Sequence, residues 1–330
     1  MTASIVSSVI KQQNLFRIEL FKPVYWGTWL LLGLLWLITW LPRKWVMRLG
    51  AWIGDQTRLR NSKRRHIAKT NIDLCFPELS ESERLRMLTE HFRCYGRGLA
   101  DLGLIMMSRK ERIKKFSEVH GMEYLTPENP EQRVILVSYH TTTLDMCSSS
   151  MLADIKLVSM MKREKNPVLN WFLHRSRTRY KNARIYMRDQ SLRGILEGMN
   201  QGRLCYLIPD EDFGESSQTV FAPFFGQTRA TLNIVSRLAK VTGAIVLPAI
   251  CRLDSNTGRY VTTVLPALEN FPGESHEADA AAVNQAMENL IRRAPEQYLW
   301  TFRWFRTLQD GSDPYNEKID VDSSLPEVCG

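Results

Sequence analysis

A histidine acts as a general base when a carboxylate fixes its tautomer and stabilises the imidazolium, so the chain's six histidines are the place to look for chemistry. Only His140 has an acid five residues on, Asp145; His66, His91, His120, His174 and His276 are followed at that spacing by Asn71, Gly96, Leu125, Arg179 and Ala281. In a chain with 35 acidic residues the spacing alone is common, so the surroundings carry the argument. His140 follows the strongest strand pattern in the sequence, residues 134 to 138, and precedes Thr141-Thr142-Thr143. That puts it at a strand's carboxyl end, the edge where open parallel sheets bind ligands. Thr141 or Thr142 is expected to cap the following helix, with Asp145 in its first turn and back against the imidazole. His140 would then take the proton of an attacking hydroxyl, a role worth about 10² to 10⁴ in rate. The plainer alternative is a structural histidine closing a strand end.

Two further segments bear on the same edge. Pro209-Asp210-Glu211-Asp212-Phe213-Gly214 follows the apolar run 204 to 208, so Asp210 and Asp212 also fall at a strand's carboxyl end. Taken alone it reads as a surface turn. Between residues 162 and 188 stand Lys162, Arg163, Lys165, Arg175, Arg177, Arg179, Lys181, Arg184 and Arg188 against the single acid Glu164. A solvated helix face mixes signs, so this run points to an anionic partner: phosphate, a sugar carboxylate or nucleic acid. No nucleic-acid module is present, which argues against the last.

These residues need a sheet to hold them. Short apolar runs at 134–138, 156–161, 184–187, 204–208, 244–250 and 260–265 alternate with helical patterns at about 143–153, 167–179, 190–200, 230–242 and 278–293. Such alternation predicts an α/β fold with a largely parallel central sheet flanked by helices. A long amphipathic helix is expected over 80 to 107, opened by a capping box at Ser80 and Glu83. The six cysteines show no metal-ligand spacing and are expected to be reduced and mostly buried.

The net charge of +9 belongs to the N-terminus, where residues 1 to 70 hold twelve Lys or Arg against Glu19 and Asp55. Pro23 and Pro42 bracket an uncharged run, residues 24 to 41, long enough at 1.5 Å per residue to span roughly 27 Å. It has interfacial Trp26 and Trp40 and no A-x-A cleavage pattern, and it is expected to be an uncleaved transmembrane helix. Basic residues concentrate after it, which predicts a single-pass protein with its catalytic body in the cytoplasm. The next stretch puts Trp45, Val46, Leu49, Trp52 and Ile53 on one helical face, with Arg43, Lys44 and Arg48 expected at anionic headgroups. From Gln309 onward the chain is acidic with few large apolar residues and is expected to be a solvated tail.

Taken in order, these segments resemble the late acyltransferases of lipid A biosynthesis, the lauroyl and myristoyl transferases of Gram-negative bacteria. The resemblance runs nearly end to end. It is carried by Pro23-Val24-Tyr25-Trp26, Asn71 to Glu78 with Ser80 to Arg84 after it, the HxxxxD pattern of His140 and Asp145, and Asn166-Pro167. It continues through Arg175 to Arg179, Pro209 to Gly214, Phe221 to Gly226 with Ala230-Thr231, and Pro295 to Trp300. It implies a glycerolipid-acyltransferase-like fold, an acyl-carrier-protein thioester as donor, a Kdo-bearing lipid A precursor as acceptor, the inner membrane as location, and no metal or cofactor. His140 would deprotonate the 3-hydroxyl of an acceptor acyl chain while Asp145 holds the imidazole. Arg177 matches the family's functional arginine and Asp210 its acidic turn. Asp212, Arg163, Arg179 and Arg188 are the neighbouring candidates for substrate, phosphate or carrier-protein contacts. Two positions depart from the pattern. Lauroyl-type enzymes often have Glu where Asp145 stands, and Lys162 occupies a position often held by Arg, leaving Arg163 as the substitute for a bidentate contact. The implied organisation is an N-terminal segment at 1–22, an anchor at 23–42, a basic amphipathic segment at 43–79, an acyltransferase domain at 80–308 and a tail at 309–330.

Two alternatives differ in what they require. A glycerolipid or lysophospholipid acyltransferase shares HxxxxD but normally adds a Phe-Pro-Glu-Gly-Thr-Arg type motif, replaced here by Pro209 to Gly214. A membrane-tethered protein that binds anionic lipid would need the basic run but no proton-accepting histidine.

Overall fold

The computed structural model describes residues 16–125, 129, 131–151, 154–180, 182–189 and 192–316. Its strands are β1 (Ser117–His120), β2 (Val134–Val137), β3 (Leu157–Met161), β4 (Ala183–Met187), β5 (Leu204–Leu207), β6 (Thr219–Phe224), β7 (Gln227–Leu232), β8 (Ile245–Asp254) and β9 (Arg259–Val264). Seven of them form one sheet in the order β1-β9-β8-β2-β5-β3-β4. All its pairings are parallel except the β8–β9 hairpin. The expected α/β class and mostly parallel sheet are therefore present.

The helices are α1 (Trp26–Ile38), α2 (Arg43–Arg60), α3 (Ser62–Cys75), α4 (Glu81–Met107), α5 (Lys110–Phe116), α6 (Met122–Leu125), α7 (Leu144–Met151), α8 (Pro167–Thr178), α9 (Arg193–Asn200), α10 (Ile234–Thr242) and α11 (His276–Ile291). They cover both faces of the sheet, which is why its central strands are continuous apolar runs with no polar alternation. In β2, Ile135 and Val137 enter one core with residues of α3, α10 and α11, while Val134 and Leu136 enter a second with residues of α2, α4 and α7. The Ser80 capping box starts α4 as expected.

α4 also reaches the loop after β2. A Cβ at Gly98 would lie 2.2 Å from the Thr142 carbonyl oxygen, and one at Gly96 would lie 2.1 Å from the Gly50 carbonyl oxygen in α2. Glycine is required at both because two backbones meet there.

The N-terminal expectations need correction. The apolar run does not form one spanning helix: a 3-10 turn occupies Pro23–Tyr25, and α1 has 13 residues, about 20 Å at 1.5 Å per residue. Among the described residues no helix is long and apolar enough to cross a membrane. Gly27, Thr28, Gly33 and Thr39 dilute the run, and α1 instead packs on the protein. Leu32 joins Leu20 and Val168 in a small cluster with Trp29 and Trp171 against it, and Asn166 Nδ2 donates to Thr28 Oγ1 at 2.8 Å. In α2, Val46 and Met47 are buried while Trp45 and Trp52 are exposed, so the expected single apolar face is split. Arg43 is not free for headgroups, because it is paired with buried Asp101.

Three other differences have local causes. Residues 227 to 232, partly read as helix, form β7, whose hairpin with β6 turns at Phe225 and Gly226, both at positive φ. That is the signature of a two-residue turn matching strand twist, without the usual Asn-Gly. Past residue 309 the chain still packs: Tyr315 is buried, its hydroxyl accepting from Phe305 N–H at 3.0 Å and donating to Asn71 Oδ1 at 2.6 Å. The acidic residues from 317 on, like the first fifteen residues, lie outside the described residues. Cys75, Cys94, Cys147, Cys205 and Cys251 are free and buried, as expected.

Candidate active site

β2 and β5 are neighbours in register, Val137 opposite Leu207, and the ladder extends to a bond from Ser138 N–H to the Leu207 carbonyl at 2.9 Å. Three residues on from that pair stand His140 and Asp210. Asp210 Oδ1 takes the His140 Nδ1–H at 2.6 Å, and Oδ2 takes the His140 backbone N–H at 2.8 Å. The imidazole's carboxylate partner is thus Asp210. The expected His140–Asp145 contact does not form among the described residues: Asp145 Oδ1 instead accepts from Arg177 Nε at 3.0 Å and Nη2 at 2.8 Å. The cause is topological. β3 and β4 leave the chain after β2, yet β5 returns to lie beside β2, so a side chain distant by seventy residues arrives closer than one in the next helix. That helix begins at Leu144, so Thr143, not Thr141 or Thr142, stands before it, its carbonyl receiving Cys147 N–H at 3.3 Å.

Asp210 has no accessible side-chain surface and His140 retains 17%. Burial drives the imidazole pKa down, but the facing Asp210 carboxylate outweighs it and the net direction is up from 6.5. For Asp210, burial favours the neutral acid, yet His140 and Arg229 hold it ionised below its ordinary range. With Nδ1–H committed to Asp210, Nε2 has no protein partner among the described residues, and it is the nitrogen open to the groove that His140 lines.

A strap after α11 closes the site. Leu299 N–H donates to the His140 carbonyl at 2.9 Å, and Thr142 N–H donates to the Gln297 carbonyl at 2.8 Å. Tyr298 Oη–H donates to Asp210 Oδ2 at 3.1 Å. Arg229, fully buried, donates at 3.0 Å to the carbonyls of both Asp210 and Trp304, tying the acidic turn to the strap. The rings of Phe302 and Trp304 flank the imidazole at 5.4 and 5.9 Å.

The groove has a volume of about 910 Å³, toward the upper end of the roughly 300–1,000 Å³ typical of ligand pockets. Its lining includes apolar Leu157, Met161, Leu173 and Ile185, with Asp145, Arg177 and Tyr206. Met160, Leu192, Phe213, Leu232, Ile234 and Phe302 line it as well. Lys162 and Arg188 also line it, Lys162 exposed and Arg188 bonded to Glu211 Oε2 at 2.7 Å. Burial lowers the proton affinity of the Arg177 guanidinium and Asp145 more than restores it. Asp145 takes Nε and Nη2, leaving Nη1 for a ligand.

Of the residues singled out from sequence, the groove therefore gathers His140, Asp145, Arg177 and Arg188, with Asp210 behind His140. It does not gather the other three. Asp212 pins the acidic turn, accepting from Gly214 N–H at 2.9 Å and Thr307 N–H at 2.8 Å. Arg163 is paired with Asp189 on the surface at 3.2 Å. Arg179 closes the end of α8, donating to Ser176 O at 2.7 Å and to the Ile105 carbonyl. Tyr298 is legible only as part of the Pro295 to Trp300 segment, with no role assigned, and Arg229 not at all: nothing in their local sequence distinguishes a buried tyrosine or a hairpin arginine from core and surface residues.

The geometry is an imidazole held by a carboxylate on the wall of a large, mainly apolar groove that cations also line, an arrangement able to take a proton from a hydroxyl. The family described as bacterial lipid A biosynthesis acyltransferase matches residues 14–307. The chain is similar to the lipid A biosynthesis lauroyltransferase of Escherichia coli, 33% identical with 90% of this chain and 96% of that protein covered. It is similar also to the palmitoleoyltransferase of the same organism, 33% identical over 88% and 95%. A lipid A biosynthesis acyltransferase of Haemophilus influenzae is 31% identical over 89% and 92%. The chain belongs to the bacterial lipid A biosynthesis acyltransferase family.

Proposed function

We propose that the protein transfers a fatty acyl chain from an acyl-carrier-protein thioester to the 3-hydroxyl of an acyl chain on a Kdo-bearing lipid A precursor, with His140 as general base. The observation that carries this reading is the His140–Asp210 pair, whose free Nε2 opens into the groove. Nε2 accepts the hydroxyl proton as the oxygen bonds to the thioester carbonyl carbon. The tetrahedral intermediate then collapses with cleavage of the C–S bond, and the imidazolium returns its proton to the leaving thiolate. Arg177, held by Asp145, offers its remaining N–H donors to negative charge developing on the groove wall. Lys162 and Arg188 at the groove fit phosphates or the acidic face of the carrier protein.

The N-terminal surface supports a place at the cytoplasmic face of the inner membrane. Val24, Trp26, Leu30, Leu34, Leu37 and Trp40 are exposed, and exposed Lys22, Lys44 and Arg48 stand in the same segment. Contiguous apolar surface with a basic border suits association with anionic lipid.

The test is His140→Ala in purified protein supplied with an acyl-carrier-protein thioester and the lipid A precursor. Transfer per folded molecule should fall by about 10² to 10⁴, with the folded fraction measured alongside by thermal unfolding, since the buried Asp210 loses its ring partner. Unaltered transfer would remove His140 from the mechanism, and product transfer to lysophosphatidic acid alone would assign a different acceptor.

A further inference from the structure

Asp210 accepts three hydrogen bonds of different kinds. Two come from His140, its ring Nδ1–H and its own backbone N–H; the third comes from the Tyr298 hydroxyl, on the oxygen that also holds the backbone N–H. We propose that Tyr298 is a positioning residue of this pair, its hydroxyl governing through Asp210 how strongly the carboxylate holds the His140 imidazole. The inference rests on reading His140 as the base.

The hydroxyl cannot easily turn elsewhere. Tyr298 is buried, its backbone forms an antiparallel bridge with Thr141, and its ring packs against Trp300 and Trp304, each with centroids 4.8 Å away. Burial, with Asp210 adding to it, pushes the phenol well above its ordinary range, so it stays a donor at every pH the protein meets. A donor on Oδ2 shares the carboxylate's negative charge and weakens its pull on an imidazolium at Oδ1. Glu211 and Arg188 also act on His140, Arg229 acts on Asp210, and Asp210 in turn acts on Tyr139; none of them occupies the Tyr298 position on Oδ2. An aromatic ring without the hydroxyl would preserve the packing but not this restraint.

The experiment is the pH profile of kcat/KM for Tyr298→Phe beside the unaltered protein. Freed of one donor, Asp210 holds the imidazolium more tightly, and the acidic limb should move to higher pH by roughly half to one unit. On the alkaline side of that limb kcat/KM should stay within about threefold, and KM should not move. Replacing Tyr298 by 3,5-difluorotyrosine, a stronger donor of the same shape, should move the limb to lower pH, which keeps the test open should the Phe variant fold poorly. Histidine-labelled NMR gives a readout independent of turnover: the resonance missing from His140→Gln should titrate with the same opposite shifts. A lowered Tm with an unmoved limb would make Tyr298 merely structural and overturn the inference. Full activity of His140→Gln would instead overturn the reading of His140 as base, so the two failures are distinguishable.

Discussion

Asp101 and Asp210 are both carboxylates shut away from solvent, each receives a tyrosine hydroxyl, and each faces a nitrogen cation or its precursor. Asp101, inside α4, takes the guanidinium of Arg43 through both Nη atoms and the Tyr260 hydroxyl. Asp210, past the end of β5, takes His140 and the Tyr298 hydroxyl. The two differ in the partner's proton and in access. A guanidinium does not release its proton near neutral pH, and Asp101 only strengthens Arg43's hold on it, so that pair is a clamp between α2 and α4. Imidazole titrates near neutrality, and its free nitrogen meets a groove, so on the proposed reading the same arrangement of charges serves as a base. What separates the two pairs is a movable proton beside an open groove, not burial of an acid.

The comparison breaks most visibly at Asp210. Asp210→Asn preserves the shape while removing the charge, and turnover should fall by about 10² to 10⁴, measured with saturating substrates. The residual activity carries a sign. Asp210 is what raises the imidazole above 6.5 against the opposing effect of burial, so without it the acidic limb of kcat/KM should move to lower pH. A limb that moved upward would mean that another group sets the imidazole's affinity.

Asp101→Ala should do the reverse, sparing chemistry and costing stability. It leaves the Arg43 guanidinium in a largely buried slot with only neutral partners, the Gly258 carbonyl at 2.7 Å and the Tyr260 hydroxyl, and losing one member of such a pair costs about 3–5 kcal/mol. Urea unfolding should show that loss, while the rate per folded molecule at low temperature stays near that of the unaltered protein. A catalytic defect with unchanged stability would erase the distinction between clamp and base.

The sequence carried the sheet and the placing of His140 and Asp210 at its edge because both are local signals. Apolar runs of four or five residues mark the buried strands, and His140 and Asp210 each follow one within three residues. It did not carry their pairing, because that depends on strand order: β5 lies next to β2 only after β3 and β4 have been placed outside it. The helix-spacing argument therefore chose Asp145, the nearest acid along the chain. Composition also favoured a spanning helix at the N-terminus. Length and apolarity cannot show that Leu32 and Trp29 have partners on α8, nor that a Cβ at Gly103 would meet the Leu35 carbonyl oxygen at 2.1 Å, contacts that fold the run onto the protein. The β6–β7 turn was missed because Phe225 sits at positive φ without a turn-forming side chain; its N–H is held by Glu288 Oε1 at 2.7 Å, another distant partner.

Asp145 sharpens the comparison further, because it is the acid that spacing nominated and structure gave to Arg177. Both its bonds to Arg177 run through one oxygen, and the pair lines the groove with side chains 21% and 28% accessible. A charge in that position acts on the arginine, not on the imidazole. Asp145→Asn should keep one acceptor for Arg177 while weakening its alignment, lowering kcat/KM by about tenfold, the equivalent of one charge-assisted hydrogen bond. The acidic limb should stay close to where it is, since the largest influences on His140 are burial, Asp210, Glu211 and Arg188. That separates it from Asp210→Asn by shape as well as size: one change scales the pH profile, the other displaces it. Should Asp145→Asn displace the limb downward as Asp210→Asn is expected to, the imidazole would exchange partners during turnover, and Asp210 would be the scaffold on which that exchange takes place.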